Sequence, residues 1–521
     1  MSEPTYILST VPPYSSGQNA TIPQIAAAPY RYFQGADLAW MMMSSALVLL
    51  MIPGIALFYS GVSKSRFALS QAWLPIMSTA IVGLEWYLWG YSIAFSNSPS
   101  SRVFWGSTDG IALHNVLFRP VRSSGDLQTE SPVIPELVYA LFQGMFACFT
   151  ASLVSGAAIC KDRPGHFLVF ILLWTTFVYN PIARWTWNPE GWSHRIGALD
   201  FAGGTAVHIC AGATVLAHSV YHRCLPKVEE FLERILGGPR DPAGPPTNSS
   251  NSVSADRTLG SAHPREADQP GQDPSHNVEN VLLGTLLLWI GWFGFNGGSA
   301  LGANLRAVSA CVSTHLSACA GGVTLCILQL LRGPVAPGRA RDRTEDASVF
   351  MWSIVEFCNG AVVGLICITP AAGYVPHQIS PVFGIIGALI CSHMTFVSVK
   401  LGDTHGIIVY HGVGGLIGMF LTGCFARKNV AHLDGFTNIN GGGWDGHWIT
   451  LGWQIADALA GMGWAFTITL VILLLLEPFM YLSRSKRARY PIVQGDKLTD
   501  EWTIQEAVEM SEVPSRRTLP R

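Results

Sequence analysis

Two stretches of the sequence repeat each other and decide the fold: Asp200-Phe-Ala-Gly-Gly-Thr-Ala-Val-His208 and Asp403-Thr-His-Gly-Ile-Ile-Val-Tyr-His411. In each stretch an aspartate is followed eight residues later by a histidine, and small residues follow the histidine. Both stretches lie in apolar surroundings, where ionisable side chains are rare and mark functional sites. The pattern indicates two corresponding helices of an internally repeated membrane protein.

The composition favours the same class of protein. Of the 521 residues, 49% are hydrophobic and only 13% are charged, which is too apolar for an ordinary soluble chain of this length. The formal net charge of −2 does not favour a nucleic acid partner. The 11 cysteines lack the spacing of metal ligands, so we expect free thiols, no metal site and no cofactor.

Eleven apolar stretches are long enough to cross about 30 Å of hydrocarbon as helices. They run approximately over residues 37–62, 71–96, 135–160, 167–186, 200–222, 280–302, 306–331, 349–369, 379–400, 403–425 and 451–482. Lys and Arg cluster after the odd-numbered stretches, which predicts that the N-terminus lies outside and the C-terminus inside. The predicted fold is an all-α integral membrane protein with eleven transmembrane helices.

The repeated stretches fall in predicted spans 5 and 10, the last members of two five-span halves. An odd number of spans per half gives the halves opposite orientation, so we predict an inverted five-plus-five repeat and a final helix. His208 and His411 then lie about 12 Å inside the membrane from opposite ends, near its centre. They either face a pore, which we favour, or are neutral side chains that are hydrogen-bonded within the helix bundle. Asp200 heads its helix and is predicted to cap its amides. The other intramembrane histidines lack a repeat partner and are predicted to be buried and structural: His218, His315 and His393.

Composition also divides the chain into segments. Residues 1–36 lack a cleavable signal sequence and form a predicted extracellular segment, where the sequon at Asn19 is a candidate for glycosylation. Residues 37–482 form the predicted membrane domain, with a disordered, Pro- and Ser-rich cytoplasmic linker at 225–278. Residues 483–521 form a predicted cytoplasmic tail with a short helix near 500–511.

Several motifs resemble the ammonium transporter, methylammonium permease and Rhesus family. They are the Asp200–His208 stretch, Gly291-Trp-Phe-Gly-Phe-Asn-Gly-Gly-Ser299 and His411-Gly-Val-Gly-Gly, while Trp185-Thr-Trp-Asn-Pro-Glu-Gly-Trp192 looks like the fungal branch. The resemblance covers roughly residues 37–482. It implies a multi-pass transporter of the plasma membrane that forms homotrimers in the lipid bilayer and is not an enzyme.

The resemblance also implies roles for particular residues. The family's outer recruitment site falls on Phe146, Trp187 and Ser299, and its phenylalanine gate on Phe146 and Phe295. Its paired pore histidines fall on His208 and His411, and its structural acid beside the outer site on Asp200. The implied substrate is ammonium or ammonia, with methylammonium as an alternative. The implied mechanism is deprotonation at the outer site, followed by passage of ammonia along the histidines.

The sequence departs from the family where Gly402 and Gly406 replace two expected acids, which puts docking of the tail in doubt. Two other interpretations stay open: an ammonium sensor or receptor with little transport, and a Rhesus-like gas channel. A membrane-embedded enzyme is disfavoured, because the sequence contains no Ser/His/Asp spacing typical of a catalytic nucleophile, no HExxH motif and no glycine-rich phosphate loop.

Overall fold

The computed structural model describes residues 33–96, 102–114, 116–117, 119–122, 133–158, 164–236, 277–332 and 353–489. Helices α1 to α4 are Gly35–Val62, Ser65–Phe95, Glu136–Ala157 and Gly165–Ile196. Helix α5 consists of Gly204–Ile209 and Cys210–Leu236. Helices α6 to α8 are Val278–Gly298, Leu305–Arg332 and Ile354–Ile368. Helices α9 to α11 are Ser380–Leu401, Ile408–Phe425 and Ile449–Arg489.

Nine of these helices, all except α5 and α8, are long and apolar enough to cross a membrane. Each of the nine coincides with a predicted span, so the prediction of an all-helical membrane architecture is confirmed. Helix α8 is apolar but has only 15 residues. Short helical turns cover Ile111–Leu113, Lys428–Ala431, His432–Asp434 and Gly443–Asp445.

The structure corrects the predicted boundaries of two polar segments. Helix α5 continues to Leu236, so residues 225–236 are not the start of a disordered linker. This segment is rich in Leu, Glu, Lys and Arg, which favour helices, and the prediction gave too little weight to them. Helix α11 likewise continues to Arg489, into the predicted tail. Residues 1–32 and 237–276, and the predicted tail helix near 500–511, lie outside the described residues.

A short sheet also departs from the purely helical prediction. Strands β1 (Pro120–Arg122) and β2 (Val133–Pro135) pair antiparallel in the connection between α2 and α3. The chain divides into two compact units. The first contains the described residues up to 226 and those from 277 to 476, and the second the helical ends 227–236 and 477–489.

Four of the helices contain a π-helical turn, in which one extra residue is inserted into the helix. The turns are Trp86–Gly90, Thr175–Tyr179, Gly204–Ile209 and Ile408–Val413. The last two contain the repeated histidines, so the same irregularity occurs in both copies of the repeat. Such turns are frequent at functional sites.

The repeated aspartates hold the starts of α5 and α10. The carboxylate of Asp200 accepts four backbone N–H groups at 2.6 to 3.4 Å: those of Gly203, Gly204, Thr205 and Ala206. Asp403 accepts the backbone N–H of Ile408 at 2.7 Å and the hydroxyl of Ser398 at 3.0 Å. Because the first amides of a helix have no carbonyl partner within it, these bonds satisfy groups that are costly to bury.

Two pairs of helices pack closely through glycines. Helix α1 packs on α6, where a Cβ atom on Gly284 would collide with the backbone of Gly54. Helices α5 and α10 meet at Gly212 and Gly412, where a Cβ atom on Gly212 would collide with the Gly412 backbone. Small residues allow membrane helices to approach this closely. The contact between Gly212 and Gly412 therefore sets how close the two histidine-bearing helices come.

We expect Gly212→Ala to lower the melting temperature of the purified protein, because the added methyl group forces α5 and α10 apart. The matched control is Gly463→Ala in α11, where a Cβ atom meets no other atom within 4 Å. This control removes a helical glycine and should be neutral or stabilising by up to about 1 kcal/mol. Scanning fluorimetry in detergent compares the two variants, and equal melting temperatures would contradict the close contact.

We expect Asp200→Asn to destabilise the protein by about 1–3 kcal/mol, because the amide nitrogen cannot accept the backbone N–H groups now bonded to one carboxylate oxygen. The control is Glu190→Gln, which removes an exposed ion pair with Arg195 and should change the free energy of unfolding by less than about 1 kcal/mol. Thermal melts of both variants measure the difference. Similar stability of the two would show that the Asp200 bonds contribute little.

Candidate functional site

The two repeated histidines meet in the interior. His208 and His411 are both buried, and their Nδ1 atoms are 3.1 Å apart. One ring therefore donates its Nδ1 proton to the Nδ1 atom of the other. The Nε2 atom of His208 has no hydrogen-bond partner among the described residues. The Nε2 atom of His208 is therefore available for a hydrogen bond to a bound molecule.

Three aromatic rings lead away from this pair. Phe295 lies with its ring centre 6.3 Å from that of His208. Phe146 stacks on Phe295, with the ring centres 4.0 Å apart and the planes 17° from parallel, and it meets Trp187 edge to face at 5.6 Å. Both phenylalanines are at most 1% exposed, so their stacked rings fill the space between Trp187 and His208.

Trp187 and Ser299 lie at the more accessible end of this row, since both are only half-buried. The indole Nε1 of Trp187 donates to the carbonyl of Asp200 at 3.0 Å, which fixes the ring beside the capped start of α5. The hydroxyl of Ser299 donates to the carbonyl of Phe295 at 2.8 Å. Because its proton is used in this way, the Ser299 oxygen keeps lone pairs that can accept a hydrogen bond.

A buried arginine fastens the segment that carries Trp187. The Nε atom of Arg184 donates to the carbonyl of Arg102 at 2.7 Å, and Nη1 donates to the carbonyl of Ser96 at 2.9 Å. Burial of a guanidinium is costly without such partners. Arg184 therefore ties the part of α4 that carries Trp187 to the connection after α2 and holds Trp187 in place.

Trp292 belongs to the same row, although it was not among the site residues predicted from the sequence. Its ring lies 5.7 Å from that of His208 and 17° from parallel, and its Nε1 donates to Thr369 at 2.9 Å. Trp292 comes three residues before Phe295, so both side chains lie on one face of α6. That spacing was the signal in the sequence.

A narrow cavity adjoins His411 and Trp292. Its apolar lining includes Ile55, Phe58, Phe149, Leu288 and Val362. A third histidine, His405, also lines this cavity and was not singled out from the sequence. Polar atoms are therefore few along an otherwise apolar space.

The structure thus places the predicted residues in a continuous arrangement. Trp187, Phe146, Phe295, His208 and His411 follow one another as ring contacts. Ser299 and Asp200 are connected to this row through backbone carbonyls. Ser299 donates to the carbonyl of Phe295, and Trp187 donates to the carbonyl of Asp200.

Two of the other histidines differ from the prediction. His218 is buried as expected, but His315 and His393 lie on exposed faces of α7 and α9. Hydropathy identifies a span but not which face of it points outward, which explains the error. Within the described ranges, no three His, Cys, Asp or Glu side chains are arranged to hold a metal ion.

Comparison with known proteins gives the family. The model of the Ammonium Transporter Family matches residues 39–231 and 257–490. The chain is 38% identical to Ammonium transporter 1 of Schizosaccharomyces pombe over 471 residues, which cover 90% of this chain and 82% of that protein. It is 35% identical to Ammonium transporter MEP2 of Saccharomyces cerevisiae, over 87% of this chain and 80% of that protein.

Solved structures agree with the sequence relatives. The crystal structure of Candida albicans Mep2 matches with a TM-score of 0.70 and 37% identity, over 87% of this chain and 86% of that one. The relatives are named as transporters and not as enzymes, in agreement with the prediction from the sequence. The chain is therefore an integral, multi-pass membrane protein that belongs to the Ammonium Transporter Family.

Proposed function

We propose that the chain transports ammonium across a membrane along the row of side chains from Trp187 to His411. The observation that carries this proposal is the buried histidine pair behind the stacked rings of Phe146 and Phe295. Such a route offers hydrogen-bonding atoms but no charge to compensate an ion. The names of the relatives support ammonium as the substrate.

The accessible end of the row suits the ion. Ammonium is a small cation with N–H donors only. The faces of Trp187 and Phe146 attract it by a cation–π interaction of about 0.5–2 kcal/mol, and the Ser299 oxygen accepts one of its protons. Potassium has no proton to donate and water has no net charge, so each gains only part of this stabilisation.

The buried part of the row suits the neutral molecule. Moving an unpaired ion into an apolar interior costs far more than moving an uncharged polar molecule. We infer that ammonium releases its proton to water on the Trp187 side and that ammonia passes Phe146 and Phe295 when their rings rotate. Ammonia then exchanges hydrogen bonds with the Nε2 atoms of His208 and His411.

The proposal also includes the number and orientation of the transmembrane helices. We propose eleven transmembrane helices, with α5 and α8 as the two additional spans, an N-terminus outside, a C-terminus inside and an inverted five-plus-five repeat. The paired π turns and glycine contacts of the two repeats support it. This orientation places Trp187 and Ser299 on the outer side.

The proposal also assigns each segment of the chain to a side of the membrane and names the membrane that contains the protein. Residues 1–36 are extracellular and carry the glycosylation candidate Asn19, residues 37–482 are the membrane domain, and residues 483–521 are a cytoplasmic tail. We propose a homotrimer in the plasma membrane, where lipid and neighbouring subunits cover the apolar side chains that are exposed in the single chain.

The first test is a current measurement on proteoliposomes fixed to a solid support. Wild-type protein should give a saturable response to an ammonium pulse and none to potassium, either as current or as internal alkalinisation reported by a pH dye. His208→Ala should lower the rate about tenfold or more, which corresponds to at least 1.4 kcal/mol in the barrier. The matched control is His393→Ala, on an exposed face of α9, which should transport like wild type.

The alternatives give other results in the same assay. No current and no pH change from wild-type protein would exclude transport. If ammonium still raised the melting temperature of that protein, the sensor interpretation would replace the transporter. Alkalinisation without current would show that the released proton stays outside and that neutral ammonia crosses, as in a gas channel, whereas a current would show that the proton crosses as well.

A second test concerns the recruitment site. Ser299→Ala should raise the half-saturating ammonium concentration about two- to tenfold, because one hydrogen bond to the ion, of about 0.5–1.5 kcal/mol, is lost. Ser219→Ala is the matched control, since Ser219 makes the same kind of bond to the carbonyl four residues earlier but lies outside the row. Equal affinities of the two variants would remove Ser299 from the site.

A further inference from the structure

A second buried arginine lies at the start of α7, and the row from Trp187 to His411 does not include it. Arg306 is 4% exposed, and a guanidinium keeps its positive charge in a protein. Burial of such a charge is costly unless an opposite charge accompanies it. The opposite charge is Asp434, whose side chain is 1% exposed and whose Oδ2 atom is 3.2 Å from Nη1 of Arg306.

The ion pair joins three segments of the chain. Nη1 of Arg306 also donates to the hydroxyl of Thr437 at 3.0 Å, and Nε donates to the carbonyl of Gly373 at 3.0 Å. Asp434 and Thr437 belong to the connection between α10 and α11, and Gly373 belongs to the connection between α8 and α9. The Arg306 side chain is therefore held in one position by three polar groups.

The guanidinium lies on two aromatic rings beside the proposed recruitment site. Its central carbon is 4.9 Å from the ring centre of Phe201 and 4.8 Å from that of Tyr374. Phe201 directly follows Asp200, whose carbonyl accepts the indole proton of Trp187. The charges of Arg306 and Asp200 both act on the hydroxyl of Tyr374. The charge of Arg306 therefore lies close to the segment that positions Trp187.

This position conflicts with the binding of a cation. Ammonium at Trp187 and Ser299 is positive, and Arg306 on its own would repel it. The repulsion between two charges falls off slowly where protein excludes water, and salt screens buried charges less than exposed ones. Cation–π attraction is of similar or smaller size. An uncompensated Arg306 would therefore cancel much of the attraction that the aromatic rings provide.

Asp434 supplies the compensating charge because it stays ionised. Burial alone would raise the pKa of its carboxyl group. Hydrogen bonds from the Thr437 hydroxyl and from the N–H groups of Thr437 and Phe436, together with the charge of Arg306, hold the pKa below its usual value. None of these three hydrogen bonds comes from Arg306. The carboxylate therefore remains charged even when Arg306 is replaced.

We propose that Asp434 sets the affinity of the recruitment site for ammonium by cancelling the charge of Arg306, which in turn holds Phe201 beside Asp200. This inference rests on the proposed transport function. Both residues act on the ion from a distance, Arg306 as a positioning residue and Asp434 as an affinity-determining one. The pair allows an arginine to fasten the segments around the site without making the site repel a cation.

The test measures the half-saturating ammonium concentration of full-length variants in proteoliposomes. Asp434→Asn keeps the shape of the side chain but leaves the Arg306 charge alone, so it should raise this concentration about three- to tenfold. Arg306→Gln leaves the Asp434 charge alone and should lower the concentration about two- to threefold. The double variant Arg306→Gln/Asp434→Asn carries neither charge and should return to within about twofold of wild type.

The opposite signs separate an electrostatic role from a structural one. Loss of packing or of hydrogen bonds would weaken binding in each single variant and would weaken it most in the double variant. A double variant whose half-saturating concentration equals or exceeds that of Asp434→Asn would therefore overturn the proposal. So would a folded Asp434→Asn protein with the wild-type value.

The matched control is Asp445→Asn, which breaks another ion pair in the same connection. Asp445 lies 2.6 Å from Arg427, whose side chain is 30% exposed, so water screens the charge that remains. This variant should shift the half-saturating concentration by less than about twofold. A shift as large as that of Asp434→Asn would count against the proposal, because any change in this connection would then have the same effect.

The inference and the transport function fail in different ways. Wild-type protein without any response to ammonium would refute transport itself. Transport that is lost in His208→Ala but keeps the wild-type half-saturating concentration in Asp434→Asn would refute the role of the ion pair alone. If Asp434→Asn does not fold, Arg306→Gln decides the question. Only the electrostatic role predicts a value below that of wild type, and a value at or above it would overturn the proposal.

Discussion

An imidazole lies deep among apolar helices only when its nitrogen atoms find partners there. The 3.1 Å approach of the Nδ1 atoms of His208 and His411 provides that partner for each ring. The rings come this close because α5 and α10 meet through Gly212 and Gly412, without side chains between them. The starts of the two helices are in turn held by Asp200 and Asp403. The histidine contact therefore depends on features repeated in both halves of the chain.

The departures at Gly402 and Gly406 have a local explanation. Both residues have left-handed backbone conformations, with φ of 75° and 69°, which glycine adopts without strain. A Cβ atom on Gly406 would also come within 2.8 Å of the Tyr410 ring. Acidic side chains at these positions would thus strain the turn that presents Asp403 to the start of α10. Residues 490–521 of the tail that such acids would contact lie outside the described residues, so the expected change in its docking stays a prediction.

Hydropathy and the repeat predicted most of the architecture. Long apolar stretches identify helices because the backbone in lipid must bond to itself, and the matching Asp and His residues identified α5 and α10 as a pair. The resemblance supplied Phe146, Trp187 and Phe295. Its motifs record residue types but not geometry, so the close stacking of Phe146 on Phe295 could not be inferred.

Other features left no clear signal in the sequence. No amino-acid pattern predicts the π turns, and β1 and β2 are too short for a periodic pattern. The helical ends of α5 and α11 were missed because charged residues there favour a helix as well as a loop. His405 was overlooked because it has no counterpart in the repeat, and its position beside the cavity depends on packing against Ser63 and Tyr59, which are far away in the sequence.

In the proposed route, the hydrogen bond between His208 and His411 affects which form of the substrate the pair accommodates. In an uncharged pair, the ring that donates from Nδ1 carries a lone pair on Nε2, and the ring that accepts carries a proton on Nε2. The pair therefore presents one acceptor and one donor. Ammonia has both N–H groups and a lone pair and can bond to each in turn, whereas ammonium has no lone pair and meets the second ring proton to proton. The shared proton thus adds a barrier to the ion beyond the cost of removing it from water.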